Sequence, residues 1–137
     1  YSDSEQVVTL ECGAWSEKAT LHFREDEYEP MSDKIEEEGE IEVQVDKIDN
    51  IVSEQDKAGF IKMDIEGSEL HALKGAAEVI KRDKPVLAIC VYHKKEDLVT
   101  IPQYIRSLCP DYRLYLRAHE RRARELVLYA IPNACSL

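Results

Sequence analysis

The residues from Gly59 to Tyr92 constrain the fold most, because they form a strand pattern, a helix pattern and a second strand pattern in succession. Gly59–Met63 is a compact, largely apolar run that ends at Asp64. Val86–Tyr92 is a continuous apolar run, typical of a strand buried on both faces of a parallel sheet. Two strands joined through a helix indicate a right-handed crossover and parallel pairing. Between them, apolar side chains recur at spacings of three and four, at Leu70, Leu73, Ala77 and Ile80.

The ends of this helix are marked by residues that favour helix termini. Ser68 is a plausible N-cap, and Glu69 lies in the first turn, where the helix dipole favours a negative charge. Pro85 ends the helix. Gly75 within the helix costs about 1 kcal/mol relative to alanine, which indicates close packing against a sheet.

Shorter patterns on both sides predict further elements. Val7–Leu10 and Ala19–Phe23 are predicted strands, joined by a turn at residues 16–18. A third strand follows over residues 41–45, with a short helical turn after it. The predictions beyond Tyr92 are a helix from Leu98 or Ile101 to Leu108 with Pro102 in its first turn, and strands at Tyr112–Leu116 and Leu126–Ile131 joined by a hairpin containing Arg121, Arg122 and Arg124. The sequence therefore predicts an α/β fold resembling the second half of a doubly wound sheet, mixed because its last strand is antiparallel.

Size and charge exclude several classes of protein. A chain of 137 residues has room for one domain, which we assign to residues 1–137. No run approaches the ~20 apolar residues needed to span a bilayer. The net charge of −10 argues against nucleic acid as a partner. Much of this charge lies in residues 24–42, which we interpret as a solvated acidic loop insertion. The scattered cysteines lack metal or redox spacing and indicate a reduced, cytoplasmic protein.

Candidate site residues follow from the position of the predicted strand ends. Ligands of open parallel sheets bind beyond the carboxyl ends of the strands. We therefore expect the polar residues at these ends to share one rim of the sheet. They are Gly13, Ala14 and Trp15 after the first strand, Asp64 and Glu66 after the strand Gly59–Met63, which we expect to lie inside the sheet, Tyr92 and His93 after the buried strand, and Arg117 and His119 after the one that follows.

Each of these candidates also has a simpler interpretation. Asp64 and Glu66 are suited to capping the helix that follows them. Together with His93 they also match the ligands of several divalent metals, although a spacing of two residues is weak evidence. His93 would equally suit a sheet end with its hydrogen bonds satisfied, and Trp15 would suit core packing. His71 is interpreted as a surface or rim residue.

The segment from Phe60 to Ala76, FIKMDIEGSELHALKGA, resembles the signature of the FkbM family of S-adenosylmethionine-dependent methyltransferases. The later segment KPVLAICVYHKKEDL is similar to the proline-led buried strand of that family. The earlier segment CGAWSEKATLHF is similar to the strand and hairpin that precede the signature. The resemblance therefore extends over nearly the whole chain.

This resemblance implies a Rossmann-like class I methyltransferase fold and the transfer of a methyl group from S-adenosylmethionine to oxygen. The acceptor implied is a hydroxyl of a small molecule or sugar. The resemblance places Gly13, Ala14 and Trp15 near the adenine of the cofactor. It places Asp64 and Glu66 near the sulfonium and the substrate.

A hydroxyl acceptor needs a base, and His93 is the first choice because its unperturbed pKa suits neutral pH. Asp64 or Glu66 is the second choice. The predicted substrate contacts are Glu66, Tyr92 and His119, and no metal is assigned.

The chain departs from the family pattern in one respect. No Gly-x-Gly turn joins a strand to a helix, and the first two strands of the family are not recognised. We therefore expect an incomplete methyltransferase domain, truncated from a longer product, that binds the cofactor poorly alone. An alternative is a non-catalytic interaction module that uses the acidic loop. The missing strands also predict a free sheet edge through which a homodimer forms.

Overall fold

The structure, a computed structural model, describes residues 7–23, 41–119 and 125–133. Residues 24–40, which form most of the acidic loop, and residues 120–124, which contain the three arginines, lie outside the described residues. The interaction module that depends on that loop therefore stays a prediction. The described elements are β1 (Gly13–Ala14), β2 (Ala19–Phe23), β3 (Ile41–Asp46), α1 (Ile48–Ile51), β4 (Phe60–Met63), α2 (Glu69–Lys74), α3 (Ala77–Asp83), β5 (Val86–Cys90), α4 (Asp97–Leu108), β6 (Tyr112–Ala118) and β7 (Leu126–Pro132).

The strands before residue 47 form a small mixed sheet in the order β1-β3-β2. β1 is parallel to β3, and β2 is antiparallel to β3, so the predicted strands at β2 and β3 are confirmed. The prediction of a strand at Val7–Leu10 is wrong. These four residues are exposed and have no strand partner in the described part of the chain, and pairing begins only at Gly13, opposite Val45.

The later strands form a second mixed sheet in the order β4-β5-β7-β6. β4 and β5 are parallel, as the strand–helix–strand pattern predicts. β7 is antiparallel to both β5 and β6, which confirms the antiparallel last strand. The expectation that β4 is an interior strand is wrong. Among the described residues β4 has only β5 beside it, and Phe60 is 58% exposed.

The helices that follow β4 and β5 pack on one face of this second sheet. Alternate side chains of the strands, such as Leu87 and Ile89, face these helices and are fully buried. Leu73, Ile80 and Ile101 meet them from the helix side. The core therefore lies between this sheet and its helices, and it fixes where β4 and β5 end. No described helix combines the length and apolar character that a bilayer span requires.

The single helix predicted after Ser68 is divided into α2 and α3. Gly75 caps the end of α2, and a Cβ built on it would lie 1.8 Å from the backbone oxygen of Trp15. The close packing predicted at Gly75 is therefore confirmed, but its neighbour is loop backbone rather than the sheet. Ser68 occupies the N-cap without a side-chain cap bond. α4 begins at Asp97, so Pro102 lies in its second turn rather than its first.

Candidate active site at the carboxyl ends of β4 and β5

The parallel pairing of β4 with β5 brings Asp64 close to Tyr92 and His93. Met63 pairs with Ile89, so the residues that follow the two strands lie side by side. The Tyr92 hydroxyl donates a hydrogen bond of 3.0 Å to Oδ1 of Asp64. His93 Nε2 lies 3.7 Å from the same oxygen. The predicted meeting of these three residues at the strand ends is confirmed.

Glu66 joins this group through a turn with left-handed backbone. Its φ is 53°, and that of Gly67 is 89°. Glycine adopts this conformation readily, whereas glutamate does so at a cost, and such residues often cluster at functional sites. The turn brings Oε2 of Glu66 to 3.4 Å from Nε2 of His93. A Cβ on Gly67 would lie 2.9 Å from Cε of Lys94, so the turn is also tightly packed.

Glu69 is a member of the cluster that sequence reasoning missed. It is completely buried, and its Oε1 lies 3.0 Å from His93 Nδ1. The same oxygen accepts a 2.9 Å hydrogen bond from the Ile65 backbone N–H. The segment that resembles the FkbM signature includes this glutamate, but its position in the first helical turn predicts only an interaction with the helix dipole.

The hydrogen bonds to Asp64 favour its ionised form. Burial acts to raise the pKa of Asp64, but bonds from the Cys90 thiol and the Tyr92 hydroxyl, with the charge of Lys62, hold it below its usual value. Lys62 Nζ lies 3.5 Å from Oδ2 of Asp64. Asp64 is therefore ionised at neutral pH.

The Cys90 thiol and the Tyr92 hydroxyl, which donate hydrogen bonds to Asp64, both stay protonated at neutral pH. Burial, followed by the bond to Asp64, raises the pKa of the Cys90 thiol to about 12. Desolvation of the hydroxyl and its bond to Asp64 raise the pKa of Tyr92 to about 12. Both groups therefore serve as hydrogen-bond donors rather than as bases near neutral pH.

Asp97, at the start of α4, is a second buried carboxyl group near the cluster. It is 3% exposed. Burial raises its pKa, and the negative charge of Glu69 raises it further. Asp97 therefore adds a second buried acidic side chain close enough to Glu69 for their charges to interact.

Other predicted site residues do not contact this cluster in the described part of the chain. Trp15 stacks on His71, with ring centroids 4.1 Å apart and planes 2° from parallel, and His71 is partly exposed, as expected for a surface or rim residue. Ala14 packs against the core, and Gly13 lies in β1 beside Val45. His119 follows β6, where its Nε2 lies 2.9 Å from the Tyr129 hydroxyl. The single rim predicted for all these side chains is therefore only partly formed.

The chain is thus a mixed α/β protein in which acidic side chains and a histidine gather at the ends of two parallel strands. Residues 2–123 match the methyltransferase FkbM domain. The crystal structure of the methyltransferase FkbM from Methylobacillus flagellatus KT is similar, with a TM-score of 0.68 and 39% sequence identity over 87% of this chain. No curated protein is significantly similar to the chain.

These similarities show the family directly. The chain belongs to the FkbM methyltransferase domain family. It spans 27% of the length of the Methylobacillus structure, so it corresponds to one part of that longer protein.

Proposed function

We propose that this chain forms part of an S-adenosylmethionine-dependent O-methyltransferase that acts on a hydroxyl group of a small molecule or sugar. The observation that carries the proposal is the convergence on His93 Nε2 of Asp64 at 3.7 Å and Glu66 at 3.4 Å. These groups lie at the carboxyl ends of parallel strands, where ligands of such sheets bind. Membership of the FkbM family supplies the reaction class.

The proposal includes a Rossmann-like class I fold that is incomplete in this chain. β4 lies at the edge of its sheet in the described residues, although its partner β5 is buried. A longer protein would complete the sheet with strands beside β4. The buried, unbridged thiols of Cys90 and Cys109 support a reducing compartment, and we place the reaction in the cytoplasm.

The described residues fit part of the cofactor that the family uses. S-adenosylmethionine supplies a methyl group on a positively charged sulfur. Asp64, ionised and 39% exposed at its side chain, is suited to a cation at the tip of β4. The proposed adenine contacts are Gly13, Ala14 and Trp15. Because His71 covers one face of the Trp15 ring, adenine would need the opposite face.

The residues of the cluster then position the acceptor and take up its proton. Holding the acceptor oxygen in line with the methyl group supplies much of the catalysis in such a displacement. A base adds about 10²–10⁴-fold, and His93 is the first candidate for that base. The exposed carboxylates of Asp64 and Glu66 are the second.

Three residues are proposed to contact the acceptor. Glu66 and Tyr92 are exposed at the cluster. His119 lies beyond β6, which is two strands from β5 in the sheet order. Neighbouring strands are about 4.8 Å apart, so His119 would be reached only by an acceptor extending roughly 10 Å across the strand ends.

Calorimetry with S-adenosylmethionine tests the proposal. The present chain is compared with the longer gene product that contains it. We expect saturable binding by the longer protein and little or none by the chain alone. In the longer protein, Asp64→Asn should weaken binding about tenfold, since it removes the charge that faces the sulfonium.

The matched control is Asp56→Asn, a substitution of an exposed aspartate outside the cluster. It should leave binding unchanged. Absence of binding by the longer protein, or equal effects of the two substitutions, would argue against the proposed function.

A further inference from the structure

The cluster around His93 leaves buried polar atoms without hydrogen-bond partners. Glu69 is fully buried, and its Oε2 has no partner among the described residues. The His93 side chain is 7% exposed, and neither ring nitrogen makes a well-aligned hydrogen bond there, although Nδ1 lies 3.0 Å from Glu69. Buried polar groups are nearly always paired, so these atoms indicate a missing partner.

The charges identify that partner as a cation. The carboxylates of Asp64, Glu66 and Glu69 surround a single imidazole. Lys62 Nζ lies 3.5 Å from Oδ2 of Asp64, whereas His93 Nε2 lies nearest the other oxygen, Oδ1. Lys62 offsets part of the charge of Asp64, and the carboxylates of Glu66 and Glu69 remain beside the imidazole. A divalent ion would balance two negative charges.

The distances suit a metal ion. One ligand atom each from Asp64, Glu69 and His93 lies within 4.8 Å of the others. Metal–ligand bonds of about 2.0–2.5 Å place two ligands on opposite sides of an ion roughly 4–5 Å apart, and adjacent ligands closer. The side chains therefore require little movement to bind one ion together.

We propose that Asp64, Glu69 and His93 bind one divalent cation of the Mn²⁺ type. Carboxylates suit Mg²⁺ and Mn²⁺, whereas imidazole suits transition ions, so a mixed set favours an ion that accepts both. The sequence pattern suggests Asp64, Glu66 and His93 as metal ligands only on weak spacing, whereas the structure brings the buried Glu69 into the set in place of Glu66. Glu69 Oε1 is held by the Ile65 N–H, which orients the carboxylate and leaves Oε2 for the ion.

The binding site itself does not depend on methyl transfer, but its catalytic consequence rests on the proposed function. A bound cation polarises an acceptor hydroxyl and eases loss of its proton. With the ion bound, one nitrogen of His93 would be a ligand, so Glu66 rather than His93 would take the proton of the acceptor. That carboxylate has a 64% exposed side chain and lies outside the three-ligand set.

Titration of the chain with Mn²⁺, without S-adenosylmethionine or acceptor, tests the site. Calorimetry measures stoichiometry and affinity, and electron paramagnetic resonance detects nitrogen coordinated to the ion. We expect one saturable site with a nitrogen coupling from His93. Glu69→Gln and His93→Gln should each weaken binding at least tenfold, because even changes to supporting groups around a metal cost about 10–100-fold.

Matched controls lie elsewhere in the chain. Glu78→Gln changes an exposed glutamate of α3, and His22→Gln changes a histidine of β2; both should bind Mn²⁺ like the wild type. If Glu69→Gln does not fold, Asp64→Asn at the exposed edge of the cluster replaces it and should also weaken binding. Circular dichroism verifies folding of each variant.

Two results would overturn the proposal: no saturable Mn²⁺ binding, or binding that the Glu69 and Asp64 variants retain at full affinity. Different results would contradict the proposed function. A longer protein that binds Mn²⁺ but not S-adenosylmethionine contradicts the function alone, and one that binds S-adenosylmethionine but not Mn²⁺ contradicts the metal site alone.

Discussion

Gly75 has no side chain, and this allows the backbone at Trp15 and Lys47 to approach it closely. The Trp15 backbone oxygen would lie 1.8 Å and the Lys47 Cα 3.3 Å from a Cβ at this position. Both neighbours are backbone, so neither moves away by rotating a side chain. The contact joins the loop after β1 to the junction of α2 and α3, and it determines where Trp15 meets His71.

Gly75→Ala should therefore destabilise the fold by about 3 kcal/mol, at the upper end of the range for overpacked sites. Urea unfolding followed by circular dichroism measures the free energy of unfolding. Gly59→Ala is the control, because a Cβ there meets no atom within 4 Å. It should change stability by less than about 0.5 kcal/mol. Equal effects of the two substitutions would contradict the close contact.

Asp83 provides a prediction about pH. Hydrogen bonds from the Arg82 guanidinium and the Ala58 N–H lower the pKa of Asp83 from 3.8 to about 2. Because the folded-state pKa lies below the unfolded value, ionised Asp83 stabilises the fold above about pH 4. This stabilisation is lost as the pH falls towards 2.

Arg82→Met should raise the pKa of Asp83 towards 3.8, since it removes the largest of these causes and keeps an apolar side chain of similar length. Carboxyl ¹³C chemical shifts recorded against pH measure this value. Lys81→Met, which changes a cation paired with Glu78 rather than with Asp83, is the control. An Asp83 pKa of 3.8 in the wild-type chain would contradict this prediction.

The site residues that could be predicted are those at strand ends. Asp64 and His93 follow recognisable apolar runs, so their positions follow from the sheet alone. Glu69 was missed because its burial depends on His93, which is distant along the chain, and on the Ile65 N–H. No local pattern distinguishes such a glutamate from one that interacts only with the helix dipole.

At the scale of elements, α3 is capped by a residue from another helix. Its N-cap, Ala76, has no side chain able to accept a hydrogen bond. Asp49 of α1 replaces it, accepting bonds from the N–H groups of Val79 at 2.9 Å and Glu78 at 3.2 Å. The apolar spacing continues through this junction, so the sequence alone predicted one helix.

Asp49→Ala should cost about 0.5–2 kcal/mol of stability, the range found when an N-cap is removed. Urea unfolding measures the loss. Glu78→Ala also removes an acidic group near the start of α3 but leaves the cap in place, so it should cost much less than Asp49→Ala, because its surface pair with Lys81 contributes little. A larger loss for Glu78→Ala would contradict the cap.

At the scale of the whole molecule, β4 presents an edge that the rest of its sheet does not cover. Phe60 on this strand is 58% exposed, and β5 is its only strand neighbour among the described residues. Unpaired edges promote association between chains, whereas edge lysines such as Lys62 oppose it. The order of helices and strands can be predicted from the sequence. Whether a strand lies inside a sheet or at its edge depends on which other strands pair with it, and the strand's own residues do not show this.

We expect the chain to associate weakly through β4 as its concentration rises. Sedimentation velocity over a concentration series measures this. Phe60→Lys should shift the chain towards monomer, because it adds charge and removes exposed apolar surface at the edge. Val99→Lys changes an exposed residue of α4, 56% accessible, and should leave the association unchanged. A strictly monomeric wild-type chain would contradict the expectation.

The proposed function requires above all that His93 and its neighbouring carboxylates form the reacting centre. The direct measurement is the rate of methyl transfer from labelled S-adenosylmethionine by the longer gene product, with His93→Ala compared with His22→Ala. The account predicts a loss of about 10²–10⁴-fold for His93→Ala and none for His22→Ala. Turnover of the His93 variant within a few-fold of wild type would contradict it.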